Sequence, residues 1–534
     1  MAIRKFGRKA RNDADACTPN ATRAVDSRKQ AAAGVLAELE GGGRGDVEAL
    51  KRKHSRLQGL KSMLKNSELI AECSDVVLRR ALRKSAVRSA SGICVIAVMT
   101  RPGGCPYDCA YCPTSEIAAK SYTGFEPAAL RARQNNFDAG RQVSSRLRQL
   151  EAAGHDPQKC ELVVMGGTFN VQPEAYQQEF LKAALEAFNG KKARNWEEAM
   201  KANETCRHRV IGITFETRPD CAMTPAQVSR LVDRGATRIE LGVQSLDDNV
   251  LRKVNRGHGV AETAAATAAC KDAFLKVGYH VMPGLFATPA KDERMFKQMF
   301  SDERFKPDML KIYPALVMEG TRLWEWWKEG KFEPYSTEEA AVAVARMLRH
   351  TPEYVRVMRV DRDIPSNRIA AGVKKTNLRE LVQEEMDRNG WECRDIRARE
   401  VGLRGTLPGS VEMNELEYDA SGGKEVFISL DAKDGGLVGY LRLRKPFAPF
   451  RREITAGAAG VRELRVLGEL VGIGERSAAA FQHKRYGSKL LGRAEEVARK
   501  WGCNKLCVTS GVGCREYYYR KGFQADGAYV SKNV

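Results

Sequence analysis

The stretch ICVIAVMTRPGGCPYDCAYCP, residues 93–113, places a short apolar run directly before three cysteines. The run at 93–99 has no polar alternation, which is typical of a strand covered on both faces. Cys105, Cys109 and Cys112 follow it closely. The stretch therefore predicts a buried strand whose carboxyl end carries a site rich in thiols.

Five further apolar runs continue this pattern along the chain. They lie at residues 160–165, 210–215, 237–243, 278–282 and 309–313. Segments with helical character separate them, for example TPAQVSRLVDRGA from Thr224 onward. Buried strands that alternate with helices indicate a parallel sheet. The six units predict an α/β fold, a partial TIM-like (β/α)6 barrel.

The pattern changes after residue 402. EVFISL at 425–430 and LVGYLRLR at 437–444 enclose a glycine-containing turn, which predicts an antiparallel hairpin. Further strands near 462–466 and 505–510, a helix over 488–500 and a short helix near Tyr517 complete a predicted α+β domain. We divide the chain into a basic helical region (1–92), the barrel (93–390), a linker (391–424) and this second domain (425–534).

Composition and charge limit the functional classes. The chain has 534 residues, of which 43% are hydrophobic and 29% charged, and no apolar run is long enough to cross a bilayer. The net charge is +21, and residues 1–92 contribute 20 Lys and Arg against 10 Asp and Glu. Such an excess favours a polyanionic partner such as nucleic acid. Most of the fourteen cysteines are scattered singly and the basic N-terminus lacks an apolar signal region, so we expect a reducing compartment, the cytoplasm.

The three clustered cysteines supply one ligand fewer than a structural zinc ion usually takes. A 4Fe–4S cluster held by three thiolates leaves one iron open to a small molecule. The spacing alone also fits a zinc site completed by a distant ligand, or three unligated core cysteines. The position at a strand end, where barrels carry their chemistry, favours the catalytic cluster. Polar groups follow other strands at the same edge, namely Gly166, Gly167, Thr168, Glu216 and Gln244.

CPYDCAYC at 105–112 resembles the motif of the radical S-adenosylmethionine family, and VMGGT at 164–168 resembles that family's glycine motif. The resemblance implies that Cys105, Cys109 and Cys112 hold a 4Fe–4S cluster whose open iron chelates S-adenosylmethionine. It further implies that the cofactor lies among Gly166, Gly167, Thr168, Glu216 and Gln244.

The order of VRELRV at 461–466, FQHKRYGSKLL at 481–491 and SGVGCREYYYRKGF at 510–523 resembles the GNAT acetyltransferase fold, which binds acetyl-CoA. Together with SYTGFEP at 121–127, NRGH at 255–258 and RDIP at 362–365, the fused domains resemble the catalytic subunit family of Elongator. The resemblance implies a tRNA carboxymethyluridine synthase that uses acetyl-CoA to modify carbon 5 of the wobble uridine. The implied acetyl-CoA contacts are Lys159, Glu463, Leu464, Arg465, Val466, Arg485, Tyr486, Gly487 and Tyr517, and the implied catalytic residues are Lys159, Tyr517 and Tyr518.

A wobble base must leave its stack to be modified, so the resemblance also implies a basic surface for the tRNA anticodon arm. Candidates for it are Arg79, Arg80, Arg83, Lys84 and Arg88, with Arg356, Arg359 and Arg362 as further candidates. Elongator accessory subunits or a second copy of the chain are further implied partners, and no membrane partner is expected.

Four positions depart from the family pattern: Arg485 replaces the first glycine of the acetyl-CoA loop, Thr114 and Ser115 replace two glycines, and Gly284 replaces an aspartate. Two rival hypotheses therefore remain, a protein lysine acetyltransferase with a structural cluster and a tRNA-binding scaffold with impaired acetyl-CoA chemistry.

Overall fold

A computed structural model describes residues 19–41, 46–83, 92–103, 105–404, 409–468 and 485–534. The chain divides into two compact units. The smaller comprises residues 1–86 with 148–156, and the larger comprises residues 87–147 with 157–534. In the described part of the chain, no helix has both the length and the apolar character needed to span a bilayer.

The smaller unit is helical. Its helices are α1 (Pro19–Glu40), α2 (Val47–Leu57), α3 (Asn66–Glu72) and α4 (Val76–Ala81). Ala31, Val35, Leu69 and Ile70 lie at its apolar core. Arg28 pairs with Glu68 and so ties α1 to α3.

The first sheet of the larger unit contains seven parallel strands in chain order. They are β1 (Cys94–Met99), β2 (Lys159–Met165), β3 (Arg209–Thr217), β4 (Arg238–Gln244), β5 (Lys276–Val281), β6 (Met309–Ile312) and β7 (Arg356–Val360). The predicted parallel α/β partial barrel is confirmed, with seven strands rather than six. The seventh, RVMRV, escaped prediction because two arginines interrupt its apolar run.

Helices connect these strands and follow the last one. They are α5 (Pro127–Gln134), α6 (Ala139–Ala152), α7 (Glu174–Asn189), α8 (Trp196–Asn203), α9 (Pro225–Asp233), α10 (Asp248–Lys253), α11 (Val260–Asp272), α12 (Pro289–Ser301), α13 (Arg322–Lys328), α14 (Thr337–Leu348), α15 (Leu378–Arg388), α16 (Ile396–Arg399) and α17 (Val401–Arg404). Local sequence sets their starts: Thr224 and Gln227 form a capping box before α9, and Pro225 occupies its first position.

The second sheet belongs to the predicted α+β domain and has the order β13-β14-β12-β11-β10-β9-β8. Its strands are β8 (Val411–Ala420), β9 (Gly423–Ala432), β10 (Leu437–Lys445), β11 (Ala458–Val466), β12 (Lys505–Val508), β13 (Gln524–Asp526) and β14 (Tyr529–Asn533), with helices α18 (Tyr486–Lys500) and α19 (Arg515–Tyr519). The predicted hairpin is the antiparallel pair β9–β10. The sheet begins at Val411, inside the segment expected to be a linker, because β8 is an exposed, polar edge strand that lacks an apolar run.

The pair β11–β12 is parallel, and its register ends at Val461 opposite Val508. Beyond this point β11 continues to Val466 beside β10 alone. The two strands therefore part, which leaves room for a ligand between them.

Close backbone contacts dock the second sheet on the amino-terminal edge of the barrel. A Cβ added to Gly511 would lie 2.1 Å from the backbone of Ile211 in β3, and one added to Gly460 would lie 2.2 Å from the ring of Phe274. These glycines allow an approach that no side chain would permit.

Candidate active site

A cavity of about 160 Å³ lies at the carboxyl ends of the barrel strands and is lined by Cys105, Cys109 and Cys112. We call it the cysteine cavity. The loop after β1 that carries the cysteines is fixed from two sides: the Ala110 amide donates to the Val254 carbonyl at 2.9 Å, and the Leu323 amide donates to the Ala110 carbonyl at 2.8 Å. All three cysteines predicted as ligands thus share one cavity.

Two buried arginines compensate charge on Cys109. Arg256 donates to the Cys109 sulfur at 3.4 Å and Arg218 donates to it at 3.8 Å. A hydrogen bond from the Cys112 thiol opposes burial and, together with these arginines, lowers the pKa of Cys109 to about 5. Thiolates are the form that binds metal, so the arginines favour metal binding at Cys109. Three thiol sulfurs that share one cavity fit an iron–sulfur cluster held by the three cysteines.

The glycine motif after β2 forms a turn that requires glycine. Gly166 and Gly167 have φ values of +127° and +71°, and a Cβ on Gly166 would lie 2.1 Å from the Thr100 hydroxyl. Gly167 and Thr168 line the cysteine cavity together with Glu216 and Gln244. The structure therefore brings these predicted cofactor residues together, while Gly166 shapes the turn that presents them.

Glu216 is engaged in an ionic network inside the barrel. It accepts from Lys311 Nζ at 2.8 Å and from the Tyr122 hydroxyl at 2.9 Å. Lys311 also pairs with Glu240, and the His280 Nε2 atom lies 2.9 Å from a Glu240 oxygen. Burial raises the pKa of Glu240, but Lys311 and Arg238 outweigh this effect and hold it well below its usual range.

A larger cavity of about 500 Å³ lies between the second sheet and the amino-terminal ends of β2 to β5. We call it the sheet cavity. The predicted acetyl-CoA residues that line it are Lys159, Glu463, Leu464, Arg465, Val466, Arg485, Gly487 and Tyr517, and the predicted catalytic residue Tyr518 lines it as well. Tyr486 is half-buried beside them, and Lys489 Nζ lies 5.9 Å from the centre of its ring.

Cations dominate the wall of the sheet cavity. Arg209, Arg238 and Lys276 from the barrel join Arg485 at the start of α18. The amino-terminal end of this 15-residue helix adds backbone amides that suit an anion such as a pyrophosphate. Burial lowers the pKa of Lys159 in this wall, which eases its use as a proton donor or acceptor. Burial also raises the pKa values of Tyr517 and Tyr518, so both are neutral phenols near pH 7.

Family models match both folded parts of the larger unit. The radical SAM superfamily matches residues 99–298, its C-terminal domain matches residues 307–388, and the GNAT acetyltransferase family matches residues 403–523. A tRNA uridine(34) acetyltransferase of Methanocaldococcus jannaschii is 43% identical over 88% of this chain and 90% of its own length. Elongator complex protein 3 of Homo sapiens is 39% identical over 91% of this chain and 93% of its own length.

The chain belongs to the family of Elongator complex protein 3 and the tRNA uridine(34) acetyltransferases. The solved archaeal Methanocaldococcus infernus Elp3 with an N-terminal deletion (1–46) agrees with this assignment, at 40% identity and a TM-score of 0.75. That comparison covers 83% of this chain and all of the archaeal chain.

The candidates for the basic surface differ in placement. Arg79 is exposed and Arg83 is half-buried, whereas the Arg80 side chain and both Lys84 and Arg88 lie outside the described residues. Arg359 pairs with Asp363, and Arg362 donates to the Ser121 carbonyl at 2.8 Å beside the cysteine cavity. Arg356 does not fit the expected surface, because it is buried and pairs with Glu400 at 2.8 Å.

The sequence assigned no ligand or catalytic role to Arg218 or Arg256, although Arg256 lies in the NRGH motif. Arg218 directly follows β3, and Arg256 lies three residues after the end of α10. Their convergence on one sulfur is a long-range contact, so the chain order alone did not reveal it.

Proposed function

We propose that this protein is a tRNA carboxymethyluridine synthase that uses a radical S-adenosylmethionine centre and acetyl-CoA to modify carbon 5 of the wobble uridine. The observation that carries the proposal is the presence of two cavities on one barrel, the cysteine cavity at the carboxyl ends of the strands and the cationic sheet cavity at their amino ends. The names of the relatives, tRNA uridine(34) acetyltransferase and Elongator complex protein 3, support this choice of substrate.

Cys105, Cys109 and Cys112 would hold the 4Fe–4S cluster. Bound there, the cluster would supply the electron for reductive cleavage of S-adenosylmethionine, which yields a radical able to take hydrogen from carbon. Together with Cys112, Arg256 and Arg218 would favour the thiolate form of Cys109. Gly167, Thr168, Glu216 and Gln244 line the space in which the nucleoside and methionine parts of the cofactor would lie.

The sheet cavity would hold acetyl-CoA. Arg485 and the amides at Gly487 suit the phosphates, and Lys159, Tyr517 and Tyr518 lie on the same wall as donors for the thioester or for a water that hydrolyses it. Arg79, Arg80, Arg83, Lys84 and Arg88 would contact the anticodon arm. We propose that the protein acts in the cytoplasm, with Elongator-type accessory subunits or a second copy of the chain as further partners.

The test uses the purified chain reconstituted anaerobically with iron and sulfide. It receives S-adenosylmethionine, a reductant, tRNA and acetyl-CoA deuterated in the methyl group. We expect deuterium in the released 5'-deoxyadenosine and a carboxymethylated wobble uridine, both measured by mass spectrometry.

The matched pair of variants is Cys109→Ala and Cys393→Ala. We expect the first to lose bound iron and 5'-deoxyadenosine formation, because it removes a thiolate ligand, and the second to retain both. Acetyl transfer to lysine peptides that is equal in Cys109→Ala and the unaltered protein, without modified uridine in either, would instead support the lysine acetyltransferase hypothesis.

A further inference from the structure

The interior of the barrel contains a row of charged side chains where such barrels usually hold branched apolar ones. The row, here called the axial row, consists of Glu161, Arg238, Glu240, Lys311 and Glu216. Glu161, Arg238 and Glu240 are 7%, 4% and 1% exposed, respectively. Burying so many charges is costly unless each has a partner or a function.

The axial row runs from one cavity to the other. At one end Arg238 Nη1 lies 2.6 Å from Glu161 Oε1, and both residues line the sheet cavity. At the other end Lys311 pairs with Glu240 and Glu216, and all three line the cysteine cavity. The contact between Arg238 and Glu240 therefore lies at the boundary between the two cavities.

This boundary contact leaves a donor without an acceptor. Arg238 Nε and Glu240 Oε1 approach to 3.1 Å, yet among the described residues neither buried atom has a hydrogen-bond partner of acceptable geometry. An unsatisfied buried donor of this kind costs about 1–3 kcal/mol, more where the group is charged. Because the Arg238 side chain lines the sheet cavity, a ligand there would supply the acceptor that this buried Nε–H group lacks.

Two glycines lie opposite the carboxylates of the axial row. Gly212 pairs in register with Glu161, and Gly278 pairs in register with Glu240. A Cβ on Gly278 would lie 3.2 Å from Glu240 Cγ, so the glycine lets the Glu240 side chain pack closely against β5. A ligand that reaches Arg238 in so closely packed and charged an interior must present a thin, uncharged end, such as an acyl thioester.

We propose that Arg238 is a substrate-positioning residue that donates its Nε–H to the thioester carbonyl oxygen of bound acetyl-CoA. Held in this way at the boundary, the acetyl methyl group faces the cysteine cavity. This inference rests on the proposed function, in which one methyl C–H bond breaks, its hydrogen atom joins the 5' carbon radical, and the unpaired electron stays on the carbon next to the carbonyl. The carbonyl oxygen shares that unpaired electron, so the same hydrogen bond would hold reactant and product.

The test compares two ligands and needs neither the cluster nor tRNA. We expect Arg238→Met to weaken acetyl-CoA binding to the purified chain about tenfold, the effect of one lost hydrogen bond to a charged group, while free CoA binds within twofold of the unaltered protein. Isotope-edited infrared spectroscopy of carbonyl-labelled acetyl-CoA gives the second measurement. The carbonyl band should shift to lower frequency on binding to the unaltered protein, and Arg238→Met should lose this shift.

Two further variants keep the test decisive. Arg209→Met changes another arginine of the same cavity, one that pairs with Glu516 at 2.8 Å, and should retain the infrared shift and the preference for acetyl-CoA. Arg238→Lys can still pair with Glu161 but lacks Nε, so it should fold and lose the shift even if Arg238→Met does not fold.

Equal weakening of CoA and acetyl-CoA in Arg238→Met, or a carbonyl shift that survives in Arg238→Lys, would overturn the inference. The unaltered protein separates this failure from failure of the proposed function. If that protein binds no acetyl-CoA, the proposed function fails; if it binds with no carbonyl shift, only the role of Arg238 fails.

Discussion

Arg485 occupies a backbone conformation that usually requires glycine. Its φ is +61°, at the residue that caps the start of α18, and its side chain lines the sheet cavity. A side chain in this conformation costs about 1–2 kcal/mol. Arg485 therefore lowers the stability of the fold but places a cation near the proposed phosphate site.

We expect Arg485→Gly to raise the free energy of unfolding by up to about 1 kcal/mol, because the strain is relieved. The same change should weaken CoA binding and reduce its dependence on salt, since one phosphate contact is lost. Urea unfolding and calorimetric titration at two salt concentrations measure the two effects. Arg485→Lys is the matched control and should change neither by much; tighter binding by Arg485→Gly would show that the arginine crowds the site.

Individual residues differ in how far the sequence reveals their role. The three cysteine ligands lie within one short segment, so their spacing predicted them. The contact that Thr114 makes emerged only in the structure, where its hydroxyl accepts a hydrogen bond from Lys120 at 2.8 Å. Likewise, Arg238 begins a strand and its charge gave no sign that it lies inside the barrel.

Strands were predictable from the sequence where they contain a continuous, mainly apolar run. β1 to β6 contain mainly apolar runs, so their positions followed from the sequence, although Val95 of β1 is exposed and several of these strands also carry the charged side chains of the axial row. β7 and β8 lack such a run. Arg356 begins β7 and is neutralised by the distant Glu400, and β8 is an edge strand with six consecutive exposed residues. Contacts with residues that are remote in sequence therefore determine that both segments are strands.

The close contact between the barrel and β11 can be tested by substituting a glycine. We expect Gly460→Ala to lower the free energy of unfolding by about 1–3 kcal/mol, because the new methyl group overlaps the fully buried ring of Phe274. Gly492→Ala in α18, where the added carbon meets nothing within 4 Å, should instead raise it by about 0.5–1 kcal/mol. Urea unfolding followed by circular dichroism measures both, and an unchanged Gly460→Ala would mean that the two layers are not held this closely.

Considering the whole larger unit, a buried ionic cluster joins the barrel to the second sheet. Arg462 pairs with Asp308 of the barrel and with Glu425 of β9, the latter at 2.8 Å. Arg444 pairs with Glu425 at 2.9 Å and with Asp272 of α11 at 2.6 Å. Carboxylates from both layers share the same arginines, so neither layer can separate without leaving charges buried and unpaired. The barrel and the second sheet should therefore unfold together. The same buried ion pairs hold the two walls of the sheet cavity in place.

Glu425 provides the strictest test of this cluster. Burial raises the pKa of Glu425, but Arg462, Lys271 and Arg444 outweigh it and lower the value to about 2 from an ordinary 4.5. A carboxyl with a lowered folded pKa stabilises the fold above its unfolded pKa, and this contribution is lost as pH falls from about 4.5 to about 2. We expect Glu425→Gln to lower the free energy of unfolding by about 3–5 kcal/mol at neutral pH and to flatten the loss of stability over that acid range.

Glu415→Gln on neighbouring β8, whose exposed carboxylate pairs with Arg493, should lower the free energy of unfolding by less than about 1 kcal/mol. Urea unfolding at several pH values measures both variants, and equal costs, or separate unfolding transitions for the two layers in the unaltered protein, would show that the cluster does not bind the barrel to the sheet.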